Sequence, residues 1–187
     1  MKIAECTLTS LSPYCQGKPY TVDKLPKELA VDYEERTWRE RCHADKDGQV
    51  FIPPMALSNN IKNAAGFDPI SITGRGKSTY TKHFVSGIMC SDPLLLDIHK
   101  DEIEGYWMFV PSDGKRGGGT RVWKCFPRVL EWSGKMTYYI LDDIITEDIF
   151  AQVIGTGGNL IGIGSHRVQN GGYYGRFKVD HIEWIDG

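Results

Sequence analysis

The side chains best suited to bind or cleave an anionic polymer lie near the carboxyl end, in a glycine-rich segment, residues 155–175, which holds eight glycines. The segment contains His166, Arg167, Tyr173 and Tyr174, and Arg176 follows directly after it. Glycine lets a backbone approach a ligand closely and offer its N–H groups to an anion, so we expect Gly162 and Gly164 to bind. A histidine with a pKa of about 6.5 is suited to acid–base catalysis on an RNA phosphodiester, but its more ordinary role in such a loop is to hydrogen-bond or stack.

A second glycine cluster, residues 117–119, lies between Lys115-Arg116 and Arg121. Apolar runs on either side, 106–110 and 120–129, predict the two strands of a long hairpin. Two functions fit the loop equally well. It either binds an anion, or forms a turn whose basic residues keep it soluble.

Two further glycine motifs resemble nucleotide-binding fingerprints but fail on spacing. The string Gly74-Arg-Gly-Lys-Ser-Thr79 ends like a phosphate-binding P-loop, yet Ser71 occupies the position of the first glycine. The residues after it, Thr79 to Thr81, favour a strand rather than the required helix. Dinucleotide binding fails as well, because Arg167 follows Gly162-Ile-Gly164 where the third glycine is needed. We therefore expect no nucleotide cofactor.

The pattern of histidines, cysteines and carboxylates does not predict a metal site. The five histidines are isolated in sequence, and the five cysteines are scattered and include no C-x-x-C. This usage favours a reducing, cytoplasmic compartment without disulfides. The cysteines lack a histidine partner except in Cys42-His43, whose side chains diverge. The carboxylates between Asp142 and Asp148 are explained more simply as the start of a helix than as a Mg²⁺ cluster.

Net charge first argues against a nucleic-acid partner, but its distribution reverses that inference. The chain has 187 residues, about what one domain requires, and a net charge of −2. Three stretches poor in carboxylates, 69–91, 105–130 and 149–179, together carry +10, so the rest carries −12. No apolar run approaches the ~18 residues of a membrane span, and the start of the chain lacks the apolar core of a signal peptide. A basic groove on an acidic protein is compatible with these values.

Hydrophobic periodicity predicts a mixed α+β protein. Apolar residues at helical spacing predict two helices, 54–65, ending at Gly66, and 146–154, capped by Thr146. Alternating or short apolar runs predict strands at 1–10, 50–52, 106–110, 120–129, 135–141 and 176–185. In the last strand the apolar phase shifts between Val179 and Ile182, which indicates a β-bulge. The charged run 32–41 predicts neither a helix nor a strand.

Two motifs resemble the RAMP superfamily, the RNA-binding subunits of CRISPR effector complexes. Residues 161–177, with their Gly162-Ile-Gly164 start and Gly172-Tyr-Tyr-Gly-Arg-Phe177 end, are similar to its carboxyl-terminal glycine-rich loop. Residues 48–57 are similar to its entry into the first helix. There Pro54, Met55 and Ala56 stand where the family has a glycine and two serines, and Asn59, Asn60 and Lys62 are expected to take over their contacts to phosphate.

The resemblance implies a fold and a function for the whole chain as one domain. The fold would be a ferredoxin-like, RNA-recognition-type antiparallel sheet with two main helices and a projecting basic hairpin at about 105–130. The function would be non-catalytic binding of the single-stranded RNA backbone, without metal or cofactor, as a subunit of a cytoplasmic ribonucleoprotein such as a CRISPR effector. Its partners would be RNA and copies of itself or other subunits, and no membrane.

Three aromatic residues are candidates for stacking on bases, and two other functions are compatible with the sequence. Tyr173, Tyr174 and Trp123 are able to stack on bases, although Trp123 fits a core position better. One alternative is a protein-binding or assembly protein, either a viral structural subunit or a mimic that inhibits a CRISPR subunit. The other is a metal-independent, guide-processing endoribonuclease that uses His166 as its catalytic residue.

Overall fold

A computed structural model describes residues 1–114, 117 and 119–186 of the chain. The described residues form a mixed α+β protein, and every pair of its strands is antiparallel. The strands are β1 Lys2–Ser10, β2 Tyr14–Cys15, β3 Gln49–Ile52, β4 Ile88–Met89, β5 Leu94–His99, β6 Glu104–Pro111, β7 Arg121–Val129, β8 Ser133–Ile140 and β9 Phe177–Ile185. The helices are α1 Ala30–Thr37, α2 Pro54–Phe67, α3 Thr81–Gly87 and α4 Glu147–Thr156. The α+β class is confirmed.

The central sheet has the strand order β4-β8-β1-β9. In β1, Ala4, Cys6 and Leu8 are fully buried, whereas the residues between them lie on the opposite, more exposed face. The buried face packs against α2 and α4; Tyr138 of β8, for example, meets Phe150 of α4 edge to face at 5.3 Å. This alternation is the pattern that the sequence predicts for the first ten residues.

The two predicted helices are both present, with shifted ends. Proline occupies the first turn of α2, where its missing N–H breaks no bond, and Leu57 and Ile61 are fully buried. The helix runs through Gly66 to Phe67, two residues beyond the predicted end at residue 65. Helix α4 continues into a π-helical turn at Gly157–Ile161, which leads directly into the rest of the glycine-rich segment.

The predicted bulge in β9 is confirmed. Thr7 of β1 pairs with His181, and the next residue, Leu8, pairs with Val179. Asp180 is therefore the extra residue on β9. It lets Val179 and Ile182 both turn toward the core despite their odd spacing.

Helix α3 begins at Thr81, the last of the three residues whose β-propensity favours a strand. Thr81 starts this helix, and its hydroxyl donates a hydrogen bond of 2.7 Å to the carbonyl of Ala65 in α2. Phe84, one turn later, is fully buried. Thr79 keeps an extended backbone, in an antiparallel bridge with Ser71, so packing on α2 outweighs the local preference for extended backbone only at Tyr80 and Thr81.

The remaining strands support the hairpin that borders the candidate site. Strands β6 and β7 pair from Glu104 opposite Arg128 to Pro111 opposite Arg121, and β2 pairs with the base of β7. Glu34 of α1 and Arg41 form a buried ion pair, and both also bond the backbone of Cys125 in β7. The charged run 32–41 therefore forms α1 and a 3₁₀ turn that fix the hairpin base. In the described part of the chain, no helix is long and apolar enough to cross a membrane.

Candidate nucleic-acid interface

A cleft of about 1200 Å³ separates the β6–β7 hairpin from the glycine-rich segment. The hairpin lines it with Tyr106, Met108, Arg121, Lys124 and Phe126, and the segment lines it with Gly164, His166, Arg167, Tyr173 and Tyr174, among others. None of the described residues that line it is acidic. Two of the three carboxylate-poor stretches of the sequence thus meet in one cleft.

Close packing, rather than ligand contact, requires several glycines of the segment. Gly164 has φ +78°, and a Cβ atom there would lie 2.5 Å from Cε2 of Tyr14. Gly175 has φ +80°, and a Cβ would lie 2.6 Å from the backbone nitrogen of Ile163. Backbone bonds, including Ser165 N–H to Cys15 C=O at 2.8 Å, tie the segment to β2. The wall of the cleft is therefore held in a fixed shape.

Gly162 and Asn60, the predicted phosphate contacts, are hydrogen-bonded within the protein. The Gly162 N–H donates to the Gly157 carbonyl, and the Gly162 carbonyl accepts a 2.8 Å bond from Asn60 Nδ2. Asn60 is 2% exposed and also donates to the Gly157 carbonyl at 2.9 Å. The Gly162 N–H and the Asn60 Nδ2 group are thus used to fasten the segment to α2, although both residues also line the smaller cavity described below.

Lys62, which the sequence predicts to contact phosphate, lies away from the cleft. It lies half-buried on α2 and lines neither the cleft nor the neighbouring cavity described below. Its charge acts instead on the Cys90 thiol, where it lowers the pKa against the larger raising effect of burial. The contact to phosphate expected at this position therefore does not form in the cleft.

His166 lies in the cleft wall beside a cysteine that sequence spacing does not pair with it. Its Nδ1 is 3.9 Å from Sγ of Cys15, 151 residues away in sequence, and its ring meets Phe126 edge to face at 4.8 Å. Burial lowers the pKa of His166 and raises the pKa of the Cys15 thiol to about 12. Both groups are therefore neutral at pH 7. A neutral thiol that is fully buried cannot act as a nucleophile, so the pair has no covalent chemistry.

The two tyrosines of the segment have different environments. Tyr173 is 62% exposed at the cleft, whereas Tyr174 is 8% exposed and packs against Tyr106 of the hairpin with ring centroids 6.2 Å apart. Tyr174 therefore joins the two walls, and the prediction that it stacks on a base is wrong. Tyr173 keeps a free ring face for that role.

Among the predicted cations, the structure brings Arg121 and Arg167 together with Lys124 around the cleft. Arg121, at the start of β7, is oriented by the paired strand β6, since its Nη2 donates to the Phe109 carbonyl at 2.7 Å. Arg176 is not in this group, because it does not line the cleft and its Nε donates to the Asn159 carbonyl at 3.0 Å. The predicted contacts Lys115 and Arg116 lie outside the described residues.

A smaller cavity of about 470 Å³ adjoins the cleft on the other side of the segment. Gly164, Ser165 and Arg167 line both spaces. The far wall is the first turns of α2, where Ala56 and Asn59 lie, and the Ala56 N–H donates to the Pro53 carbonyl at 2.9 Å. An extended ligand in the cleft would thus have a polar path across the segment toward α2.

Trp123 is 55% exposed, so the expectation that it belongs to the core is wrong. It alternates with the cleft-facing Lys124 and therefore points to the opposite face of the hairpin, where it meets Phe109 at 5.3 Å. The outer half of this two-stranded ribbon extends past β2 and carries no covering layer. Trp123 is accordingly not a stacking residue of the cleft.

The acidic run after β8 has a structural role. Asp142 Oδ2 lies 2.6 Å from Nδ1 of His83, and Oδ1 accepts a bond from the Ile144 N–H, so the pair ties α3 to the start of α4. Among the described residues, no three histidine, cysteine, aspartate or glutamate side chains are grouped to hold a metal ion.

No protein-family model matches the chain, and no curated protein matches it. The family resemblance therefore rests on two motifs and on their positions in the fold. The motif at 161–177 forms the wall between the two cavities. The motif at 48–57 leads into α2, and its Pro53 and Ala56 line the smaller cavity.

Proposed function

We propose that the protein is a non-catalytic module that binds the backbone of single-stranded RNA in the cleft between the hairpin and the glycine-rich segment. One observation carries the proposal: Arg121, Lys124 and Arg167 converge on a cleft that also presents the exposed ring of Tyr173 and is lined by no acidic residue among those described. Cations that follow phosphates and an aromatic ring that stacks on a base are the usual components of such sites.

We also propose that the fold is ferredoxin-like and that the chain is a divergent RAMP-type protein. The sheet order β4-β8-β1-β9, with α2 between β1 and β4 and α4 between β8 and β9, agrees with a βαββαβ unit. The two small sheets, β2-β7-β6 with its hairpin and β3-β5, would then be insertions. On the uncovered face of the sheet, β1 presents Glu5, Thr7 and Thr9, and Glu5 lies directly opposite Glu183. These adjacent carboxylates favour the cleft over this face as the RNA site.

The chemistry of such binding follows from the side chains. The guanidinium and ammonium groups would contact phosphates and carry no base information, so sequence preference should be weak. Tyr173 would add about 1–3 kcal/mol by stacking. His166, neutral because burial lowers its pKa, would act as a hydrogen-bonding group in the wall rather than as an acid or base.

The test compares variants by fluorescence anisotropy with a labelled oligouridylate at low salt. Arg167→Ala is expected to weaken binding about tenfold and Tyr173→Ala by a similar factor, by the loss of about 1–2 kcal/mol each. Arg75→Ala is the matched control, since Arg75 is exposed and lies outside the cleft. If the wild type fails to bind at low salt, or if Arg75→Ala weakens binding as much as Arg167→Ala does, the proposal is wrong. His166→Ala should leave any RNA uncut, as in the wild type.

The setting we propose is a cytoplasmic ribonucleoprotein, such as a CRISPR effector, with RNA and other subunits or copies of the same chain as partners. The ratio of absorbance at 260 nm to that at 280 nm, measured before and after ribonuclease treatment of the purified protein, tests this setting. A ratio that falls on treatment is expected. An unchanged ratio typical of pure protein would argue for a partner other than RNA.

A further inference from the structure

The face of the hairpin turned away from the cleft presents exposed aromatic rings. Trp107, Phe109 and Trp123 are 38%, 48% and 55% exposed, and they form what we call the aromatic face. Arg121 lies over the Phe109 ring at 5.5 Å, and Arg39 lies over the neighbouring Trp38 at 4.3 Å. Phe109 and Arg121 also border the cleft, whereas the two exposed tryptophans do not. Exposed rings clustered in this way mark an interaction surface.

A second uncovered surface lies on the side of the central sheet opposite the helices, and we call it the open face. The strand register aligns one apolar row across it: Met89 is opposite Tyr139, Tyr139 is opposite Ile3, and Ile3 is opposite Ile185. Met89 and Ile185, at the two edges, are 43% and 40% exposed. The row therefore crosses all four strands without a layer above it.

Carboxylates flank this apolar row. Glu5 is directly opposite Glu183 in the next row, an arrangement of like charges that is unfavourable within a sheet. Neither residue forms an ion pair with any other described residue. Asp92 lies beside the row and accepts a 3.0 Å bond from the Tyr139 hydroxyl. The open face thus combines apolar side chains with two carboxylates that form no ion pair among the described residues, while Lys135, opposite Thr7, is the basic residue in the following row.

We propose that the aromatic face of one molecule packs on the open face of a second copy. The rings would cover the apolar row, and Arg39 would approach the carboxylates of Glu5 and Glu183. Because the two surfaces differ, the contact is heterologous, and each molecule would keep one free surface of each kind for further copies. This association needs neither RNA nor the cleft, and so stands or falls separately from the proposed RNA binding.

The experiment uses two variants that each remove one surface, measured by sedimentation velocity on nuclease-treated protein. One is Trp107→Ser/Trp123→Ser and the other is Glu5→Lys/Glu183→Lys. The wild type is expected to form oligomers larger than dimers as its concentration rises, and each variant alone is expected to stay monomeric. An equimolar mixture of the two should form dimers and nothing larger, because one intact surface of each kind remains.

Matched controls exclude an unspecific effect of exposed substitutions. Val85→Ser removes an exposed apolar side chain from α3, and Lys77→Glu reverses an exposed charge in the loop before α3, which belongs to neither face. Both are expected to associate like the wild type. Circular dichroism melting of every variant shows whether it is folded, and a variant that melts early is replaced by Trp123→Ser or Glu183→Lys alone.

Three results would overturn the proposal. The first is a wild type that stays monomeric at every concentration. The second is a mixture that stays monomeric when both variants are folded. The third is a tryptophan variant that still associates, which would indicate an isologous contact. If the wild type is monomeric and the tryptophan variant loses RNA affinity, the aromatic face binds bases and the proposal is likewise wrong.

Discussion

The glycine-rich segment and the hairpin loop share one sequence signature, glycines interleaved with basic residues, but the structure uses it in two different ways. In the segment, a Cβ atom at Gly164 or Gly175 would collide with backbone or ring atoms. In the hairpin loop, a Cβ at Gly114, Gly117 or Gly119 would meet no atom of the described residues within 4 Å. Glycine therefore permits close packing in one region and only chain reversal in the other.

The largest effect that tests this difference is expected from Gly164→Ala compared with Gly119→Ala. The first substitution adds overpacking to a left-handed backbone and should lower the free energy of unfolding by about 2–5 kcal/mol. The second should change it by less than about 0.5 kcal/mol. Urea denaturation measures both. Equal effects would contradict the distinction between the two regions.

Asn60→Ala is expected to have the next largest effect. It removes the two buried hydrogen bonds that hold the Gly157 and Gly162 carbonyls, which should cost about 2–3 kcal/mol of unfolding free energy. Asn59→Ala, one residue earlier on the exposed side of α2, is the control and should be nearly neutral. A neutral Asn60→Ala would show that the segment holds its shape without α2.

The pH dependence of stability is expected to show the smallest effect and to distinguish the segment from the hairpin. Burial lowers the pKa of His166 in the folded state, so the unfolded chain binds the proton more readily. This contribution to stability is complete above the unfolded pKa of about 6.5 and is lost as pH falls toward the lower, folded pKa.

Thermal melts of the wild type and of His166→Gln at pH 7.5 and pH 5 measure this contribution. The wild type should lose more stability than His166→Gln on acidification. Arg121→Gln, at the hairpin, serves as the control and should follow the wild type. Identical pH profiles for the wild type and His166→Gln would show that the imidazole does not need to be neutral in the folded protein.

The sequence predicts well those elements that are determined by the residues of the element itself. Helix α2 follows from Pro54 and the buried spacing of Leu57 and Ile61, and the β9 bulge follows from the phase shift between Val179 and Ile182. The sequence does not predict helix α3, because the stability of this helix depends on packing against α2 rather than on its own residues.

The candidate site was predicted less completely, because its geometry depends on contacts that are distant in sequence. Sequence reasoning identified Arg121, Arg167 and Tyr173, but it assigned Asn60 to phosphate. The helical spacing of Asn60 with the buried residues Leu57 and Ala64 was the signal that could have corrected this. The proximity of Cys15 to His166 has no sequence signal, since β2 and the segment meet only in the fold.

The central claim, that the cleft binds single-stranded RNA through phosphate contacts, is tested most directly by the salt dependence of oligouridylate binding. Three phosphate contacts, from Arg121, Lys124 and Arg167, predict that affinity falls about 20-fold between about 50 and about 200 mM salt. Arg167→Ala should reduce the slope of log affinity against log salt by about 0.7. An affinity that does not change with salt, or a slope that Arg167→Ala leaves unaltered, would contradict this account of the cleft.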